Sequence, residues 1–164
     1  MIFLTVGTEL PFERLVKAVD EIAADGTCNG GLFAQIGNGH YKPRHMPWVG
    51  MLEGPLFKQR LRECDAIISH AGIGTVINAI EFRKPVLIVP RLKRYGEHVN
   101  DHQLETARRL DGVSGILVAY DTCELPGLLR ELPNSSCPGA DAARLQSLAA
   151  CIKGFLDGFR RPLS

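Results

Sequence analysis

The sequence has no long hydrophobic run, no paired cysteines and no marked excess of charge. No segment reaches the roughly 18 to 20 apolar residues that a membrane-spanning helix needs. Residues 1–7 are typical of a strand and lack the positive region of a secretion signal. The five cysteines are far apart and form no CxxC pair, so neither a zinc knuckle nor a disulfide framework is predicted. We therefore expect reduced cysteines and a cytoplasmic chain.

The net charge of only +1 gives no general attraction to nucleic acid or to an anionic membrane, and we expect no nucleic-acid partner. The length of 164 residues and the apolar content of 45% are typical of one soluble domain with a full core. No linker or internal repeat divides the chain, so we assign residues 1–164 to a single domain. Its last predicted element is a helix over residues 140–159, where apolar side chains recur at helical spacing.

Short apolar runs alternate with amphipathic segments about six times along the chain, a pattern that predicts an α/β fold with a doubly wound, Rossmann-like parallel sheet. The predicted strands lie at residues 2–6, 32–36, 47–50, 66–68, 86–89 and 115–118. Ligands bind such sheets outside the carboxyl ends of the strands. Most of the notable polar residues fall in the loops expected there, which are residues 7–8, 37–38, 69–75 and 90–103.

The stretch from residue 66 to residue 81 combines a buried strand, a small glycine-containing turn and an amphipathic helix. The predicted helix places four apolar residues on one face, namely Ile73, Val76, Ile77 and Ile80. Glycines let backbone N–H groups approach a ligand, and a helix N-terminus favours a phosphate. The turn is neither GxGxxG nor a P-loop. From the turn alone, tight packing at Gly72 and Gly74 is an equally good explanation.

Two histidines, His98 and His102, are four residues apart at the predicted start of a helix over residues 99–110. That spacing suits zinc, but no third ligand accompanies it, and we expect no bound metal and no cofactor. His102 and Gln103 are better suited to hydrogen bonds with a polar ligand such as a sugar; a solvated helix end is the alternative.

A basic cluster of Arg91, Lys93 and Arg94 follows the strand at residues 86–89. The cluster could bind a diphosphate, or it could contact a partner protein or a lipid headgroup. A solvated loop is an equally good explanation from the sequence. No Ser-His-Asp or Cys-His order and no close carboxylate pair stand out in these loops. The chain therefore displays binding chemistry more clearly than bond-making chemistry.

Four motifs in this order resemble the C-terminal domain of family 28 glycosyltransferases: FLTVGT at residues 3–8, SHAGIGT at 69–75, KP at 84–85 and GEHVNDHQL at 96–104. The match runs over roughly residues 1–132. The likeness is to small bacterial exopolysaccharide and capsule subunits, which are similar to the catalytic subunit of the eukaryotic two-part N-acetylglucosaminyltransferase of dolichol-linked oligosaccharide synthesis.

The resemblance implies the donor-binding, C-terminal half of a GT-B glycosyltransferase. Such a subunit would move a hexosyl unit from a nucleotide sugar, usually a UDP-sugar, to a polyprenyl-diphosphate-linked sugar, with inversion and without a metal. The acceptor-binding half would be a separate, membrane-anchored partner subunit. The chain would then lie at the inner face of the membrane through that partner.

The resemblance also implies roles for individual residues. Residues 7–8 and the turn at residues 70–75 would face the donor diphosphate, residues 49–51 would lie near the base, and His102 and Gln103 would face the donor sugar. One departure concerns Asn78, which stands where the family often has a ribose-binding glutamate; Glu81 would substitute only if the helix were rotated. The candidate binding residues are Gly7, Thr8, His70, Ala71, Gly72, Gly74, Thr75, Asn78, Glu81, Arg91, His102 and Gln103.

If the chain is only the donor-binding half of an enzyme, as the resemblance implies, its sequence should contain a donor site but no general base. The base would come from the partner, with His98 as the candidate from this chain. A non-enzymatic module that binds a nucleotide or a partner is the alternative function. A hydrolase or epimerase acting alone is disfavoured, because a nucleophile–base pair is missing.

Overall fold

The computed structural model describes residues 1–26, residues 31–138 and Lys153. The strands are Ile2–Thr5 (β1), Leu32–Gln35 (β2), Trp48–Val49 (β3), Ala66–His70 (β4), Val86–Val89 (β5) and Ile116–Val118 (β6). The α-helices are Glu13–Ala24 (α1), Gly54–Glu63 (α2), Ile73–Glu81 (α3), His102–Leu110 (α4) and Leu125–Glu131 (α5). The predicted helix over residues 140–159 lies outside the described residues, apart from Lys153.

All six strands run parallel in one sheet, in the order β3-β2-β1-β4-β5-β6. The chain therefore winds outwards in one direction from β1 and then in the other direction from β4. The register places Thr5, the last residue of β1, opposite Gln35 of β2 and Ser69 of β4. The two strands at the reversal thus end side by side, which is the place where doubly wound sheets bind ligands. The predicted fold class is confirmed.

The central strands are buried on both faces, which explains why their sequences lack polar alternation. Leu4 and Ile68 face α1 and α5, whereas Phe3 and Ile67 face α2, α3 and α4. All four side chains are fully buried. Burial of one such side chain contributes on the order of 2 kcal/mol, so the two packed layers hold the strand ends in fixed positions.

Two details of the predicted helices are wrong. The helix α4 begins at His102 rather than near residue 99, because side chains hold the preceding loop in another conformation. The Glu97 carboxylate accepts the Leu92 N–H at 2.9 Å, and the Asp101 carboxylate accepts the Lys93 N–H at 2.8 Å. In α3, Ile77 is 41% exposed, because the buried face follows Thr75, Val76 and Ala79 instead.

None of the helices in the described part of the chain is both long and apolar enough to cross a lipid bilayer.

Candidate functional site

A cavity of about 780 Å³ opens at the carboxyl ends of β1 and β4. Its wall comes from the loop after β1, the turn between β4 and α3, the start of the loop after β5, and the entry into α4. The lining includes Gly7, Thr8, Glu9, His70, Ala71, Gly72, Gly74, Thr75, Asn78, Arg91, His98, Asn100, His102 and Gln103, with Phe57 and Ile73 as apolar neighbours. Of the loops predicted at this edge, the one at residues 37–38 does not reach the cavity.

The His70 imidazole lies between two glycines, and this arrangement explains why both positions lack a side chain. A Cβ at Gly7 would lie 2.9 Å from His70 Cε1, and Gly7 also has a positive φ of 79°. A Cβ at Gly72 would overlap His70 Nε2 and lie 2.8 Å from its Cδ2. At Gly74, by contrast, a Cβ would meet no atom within 4 Å. Packing thus accounts for Gly72 but not for Gly74.

The Ser69 hydroxyl connects β1, β4 and α3 beneath the cavity. Its Oγ lies 2.8 Å from the Thr5 carbonyl oxygen, 3.1 Å from Thr75 Oγ1 and 3.2 Å from His70 Nδ1. Ser69 is fully buried, and Thr75 is nearly so. No role was predicted for the Ser69 side chain from the sequence. Its position directly before His70 was the signal that could have indicated one.

Burial, together with the nearby charges of Arg91, His98 and His102, lowers the pKa of His70 from its usual 6.5 to about 4. The imidazole is therefore neutral at pH 7. A neutral imidazole offers one N–H donor and one lone-pair acceptor, so its role depends on which nitrogen carries the proton.

Arg91 is a buried part of the cavity wall, not an extended surface cation. Only 3% of it is exposed, and its guanidinium donates hydrogen bonds to the carbonyl oxygens of Val6, at 2.7 Å, and of Leu10. These bonds fix the loop after β1 against the loop after β5. The other two members of the predicted basic cluster, Lys93 and Arg94, are exposed and do not line the cavity.

Gln103 contributes one end of its amide to the fold. Its Oε1 accepts the Arg91 N–H at 3.2 Å, and the residue is 4% exposed. In this orientation the NH₂ group is the end that remains for a ligand, and it suits a hydroxyl or phosphate oxygen.

His98 and His102 meet at the mouth of the cavity, but not as two residues on one helix face. Their ring centroids are 4.4 Å apart with an angle of 77° between the planes. Asn100, between them in sequence, donates its N–H to His98 Nδ1 at 3.5 Å, and its Oδ1 contacts His102 Nδ1. Burial lowers the pKa of His102, and the neighbouring His98 lowers it further.

The described residues include no group of three or more His, Cys, Asp and Glu side chains placed to hold a metal ion. The donor set at the cavity mouth is two imidazoles beside an asparagine.

The two candidates for a ribose contact both lie on α3, but only one of them lines the cavity. Asn78 lines the cavity, whereas Glu81, at the end of α3, is exposed and lies outside the lining. Residues 49–51, expected near a base, lie at the carboxyl end of β3, also outside this lining. The structure thus brings together every candidate binding residue except Glu81.

The family model that matches this chain is the glycosyltransferase family 28 C-terminal domain, over residues 1–132. Among curated proteins, the chain is 30% identical to human "UDP-N-acetylglucosamine transferase subunit ALG13" over 160 residues, covering 90% of this chain and 14% of that protein. It is 26% identical to the protein of the same name from Yarrowia lipolytica, covering 74% of this chain and 66% of that one. The chain therefore spans less than two thirds of the length of these relatives.

Solved structures support the fold. The glycosyltransferase of kitacinnamycin aligns with a TM-score of 0.59 at 19% identity, covering 92% of this chain and 37% of that chain. Acinetobacter baumannii MurG aligns with a TM-score of 0.51 at 21% identity, covering 79% and 39% respectively. These neighbours are GT-B glycosyltransferases, as the predicted fold class requires. With a family model matched over most of its length, this chain belongs to the family of the glycosyltransferase family 28 C-terminal domain.

Proposed function

We propose that this chain is the donor-binding catalytic subunit of a two-component inverting glycosyltransferase. It binds a nucleotide sugar, most simply a UDP-sugar, in the cavity at the ends of β1 and β4. It transfers the hexosyl unit to a polyprenyl-diphosphate-linked sugar in exopolysaccharide or capsule synthesis. The observation that carries the proposal is the cavity itself, at the switch point of the sheet and lined by a glycine turn, imidazoles and an uncapped helix start.

The start of α3 supplies the anion-binding element. Gly72 is the N-cap residue, and no side chain caps this helix. Thr75 and Val76 donate their N–H groups to the Gly72 carbonyl oxygen, so the N–H groups of Ile73 and Gly74 remain for a diphosphate. The helix dipole adds a favourable field for negative charge at this point. Because no side chain projects from Gly74, phosphate oxygens can reach these N–H groups closely.

The remaining polar groups suit the sugar and ribose of a donor. The Gln103 amide, His102 and Asn78 line the same cavity and offer donors and acceptors to hydroxyl groups. Arg91 adds a buried positive charge in the wall, although its N–H groups largely serve the backbone. In this proposal it stabilises the bound diphosphate through its field and through the loop it holds.

The proposed division into two subunits follows from what the cavity contains. Attack by a sugar hydroxyl needs a general base near the acceptor. Glu9 and His98 line the cavity. Among the described residues, the Glu9 carboxylate has no hydrogen-bond partner, and His98 accepts only the Asn100 N–H, through Nδ1. We assign the acceptor site and the base to a membrane-anchored partner subunit, with His98 as the candidate base from this chain.

The test is ligand-dependent thermal stability of the chain, alone and with a candidate partner, in the presence of UDP-N-acetylglucosamine. A bound donor raises the melting temperature. His70→Ala and Gln103→Ala each remove one ligand hydrogen bond, and we expect a loss of about 10- to 100-fold in affinity. His40→Ala and Gln59→Ala are matched controls, because both side chains are exposed and outside the cavity. If neither UDP-N-acetylglucosamine nor UDP-glucose shifts the melting temperature in either setting, the proposal fails.

Activity is tested separately with a labelled UDP-sugar, a lipid-linked sugar acceptor and the co-expressed partner. Transfer that depends on both chains supports a two-component enzyme. Binding without transfer in the complete complex supports the non-enzymatic alternative instead.

A further inference from the structure

The hydrogen bonds around Ser69 determine which nitrogen of His70 carries its proton. A serine hydroxyl has one proton to donate and two lone pairs to accept with. The Thr5 carbonyl oxygen, 2.8 Å away, accepts only, so it takes the Ser69 proton. Thr75 Oγ1, 3.1 Å away, is the other acceptor of that proton. With either acceptor the one Ser69 proton is used, so His70 Nδ1 faces a lone pair of Ser69 Oγ and acts as the donor. The neutral imidazole is therefore protonated on Nδ1.

The other nitrogen, Nε2, is left with a lone pair at the cavity wall. Among the hydrogen bonds of the described residues, Nε2 has no partner, and it lies against Gly72, the N-cap residue of α3. A diphosphate at this helix start offers only acceptor oxygens. A bare Nε2 would repel those oxygens, whereas a protonated Nε2 would donate a charge-assisted hydrogen bond to them.

The charged groups around His70 favour the neutral ring while the cavity holds no anion. Arg91 after β5, and His98 and His102 at the entry into α4, act on it with positive or potentially positive charge. The start of α3 adds the positive end of its dipole. On the loop after β1, Glu9 is the carboxylate in the cavity lining. An entering diphosphate reverses this balance, because it places negative charge next to the ring.

We propose that Ser69 is a positioning residue that holds His70 in the Nδ1–H form, so that His70 takes up one proton from solvent on Nε2 when a nucleotide diphosphate sugar binds. The inference rests on the proposed donor site. It makes donor binding dependent on pH through a residue of the turn, and it gives Ser69 a function beyond joining β1 to α3. After binding, the imidazolium donates from Nδ1 to Ser69 and from Nε2 to the phosphate.

The first experiment reads the protonation state directly. Nitrogen-15 NMR of the full chain distinguishes the two neutral forms of His70 and the imidazolium, with His70→Gln to assign the signal. We expect the Nδ1–H form without ligand and the imidazolium with saturating UDP-N-acetylglucosamine. Finding the Nε2–H form in the free chain would overturn the role of Ser69, and this result does not depend on whether any nucleotide sugar binds.

The second experiment measures protons exchanged on binding, by titration calorimetry in buffers of different protonation enthalpy. A nucleotide sugar suits this purpose, since its diphosphate is fully ionised across the range used. We expect uptake of close to one proton at about pH 5.5, and a Kd that rises up to about tenfold per pH unit while the complex holds the extra proton. In Ser69→Ala the ring is free to use its Nε2–H form, so the uptake and the pH dependence both shrink. Ser69→Thr keeps the hydroxyl and restores both.

The outcomes separate the two proposals. No binding of any nucleotide sugar contradicts the donor site. Binding by the wild-type chain without proton uptake contradicts this inference and leaves the donor site standing. Equal proton uptake in Ser69→Ala and in the wild-type chain contradicts the positioning role of Ser69.

Discussion

Replacing Gly72 with alanine is a sharp test of how the candidate site is built. The backbone at Gly72 has φ −92° and ψ 133°, which alanine adopts without strain, so the added methyl is the only perturbation. That methyl would overlap His70 Nε2. The ring cannot simply turn away, because Ser69 holds Nδ1 on its other side and Gly7 lies against Cε1. Overpacking of this kind costs about 1 to 3 kcal/mol of unfolding free energy.

The assay is urea unfolding of Gly72→Ala, followed by calorimetry with UDP-N-acetylglucosamine. We expect a loss of about 1 to 3 kcal/mol in stability. We also expect donor affinity to fall at least about tenfold, which corresponds to one hydrogen bond. Gly127→Ala in α5 is the matched control, because a Cβ there meets no atom within 4 Å and the residue is remote from the cavity. A Gly72→Ala chain as stable and as tightly binding as the wild type would show that His70 does not occupy the position described here.

Two further predictions concern groups around the site. The folded-state pKa of His70 is about 4, below its usual 6.5, so the unfolded chain takes up this proton first as the pH falls. Between pH 6.5 and pH 4 the wild type should therefore lose roughly 3 kcal/mol of unfolding free energy. His70→Gln should not show this loss, and urea unfolding across that pH range measures both. Glu97→Ala leaves two groups without their acceptor: the Arg14 guanidinium, bonded at 2.7 and 2.9 Å, and the Leu92 N–H, bonded at 2.9 Å. The free energy of unfolding should therefore fall by about 3 kcal/mol, against less than about 0.5 kcal/mol for Glu81→Ala at an exposed position. An equal effect of the two glutamate substitutions would contradict the assignment of Arg14–Glu97 as a partly buried, stabilising ion pair.

The sheet and the location of the site could be predicted from the sequence because both depend on local pattern. Apolar runs without polar alternation identify parallel strands, and the alternation with helices identifies their winding. Once the strands are known, their carboxyl ends place residues 7–8, 37–38, 69–75 and 90–103 at one edge. The candidate residues in these loops therefore converge without any knowledge of side-chain contacts.

The contacts inside the site could not be predicted, because hydrophobic periodicity does not show which side-chain atoms meet in the folded chain. From the sequence, Gly72 is a typical turn glycine. The structure explains why it has no side chain, because the His70 ring lies directly beside it. Arg91 reads as one of three loop cations, but its bonds to the carbonyl oxygens of Val6 and Leu10 make it part of the wall. The early start predicted for α4 fails for the same reason, since Glu97 and Asp101 bond to backbone N–H groups earlier in the chain.

The turn after β4 illustrates how one short segment serves both folding and binding. Ser69 joins β1 to α3 through buried hydrogen bonds, and the same oxygen faces His70 Nδ1. A substitution that removes the Ser69 hydroxyl therefore removes both the bond to β1 and the contact with the imidazole. Conversely, the uncapped start of α3 is a cost to the free chain, because helix N–H groups lack protein acceptors there. A bound diphosphate would satisfy those groups. Because Ser69 joins this segment to β1 and α3, donor binding at the start of α3 should raise the melting temperature of the whole domain and not merely order one loop.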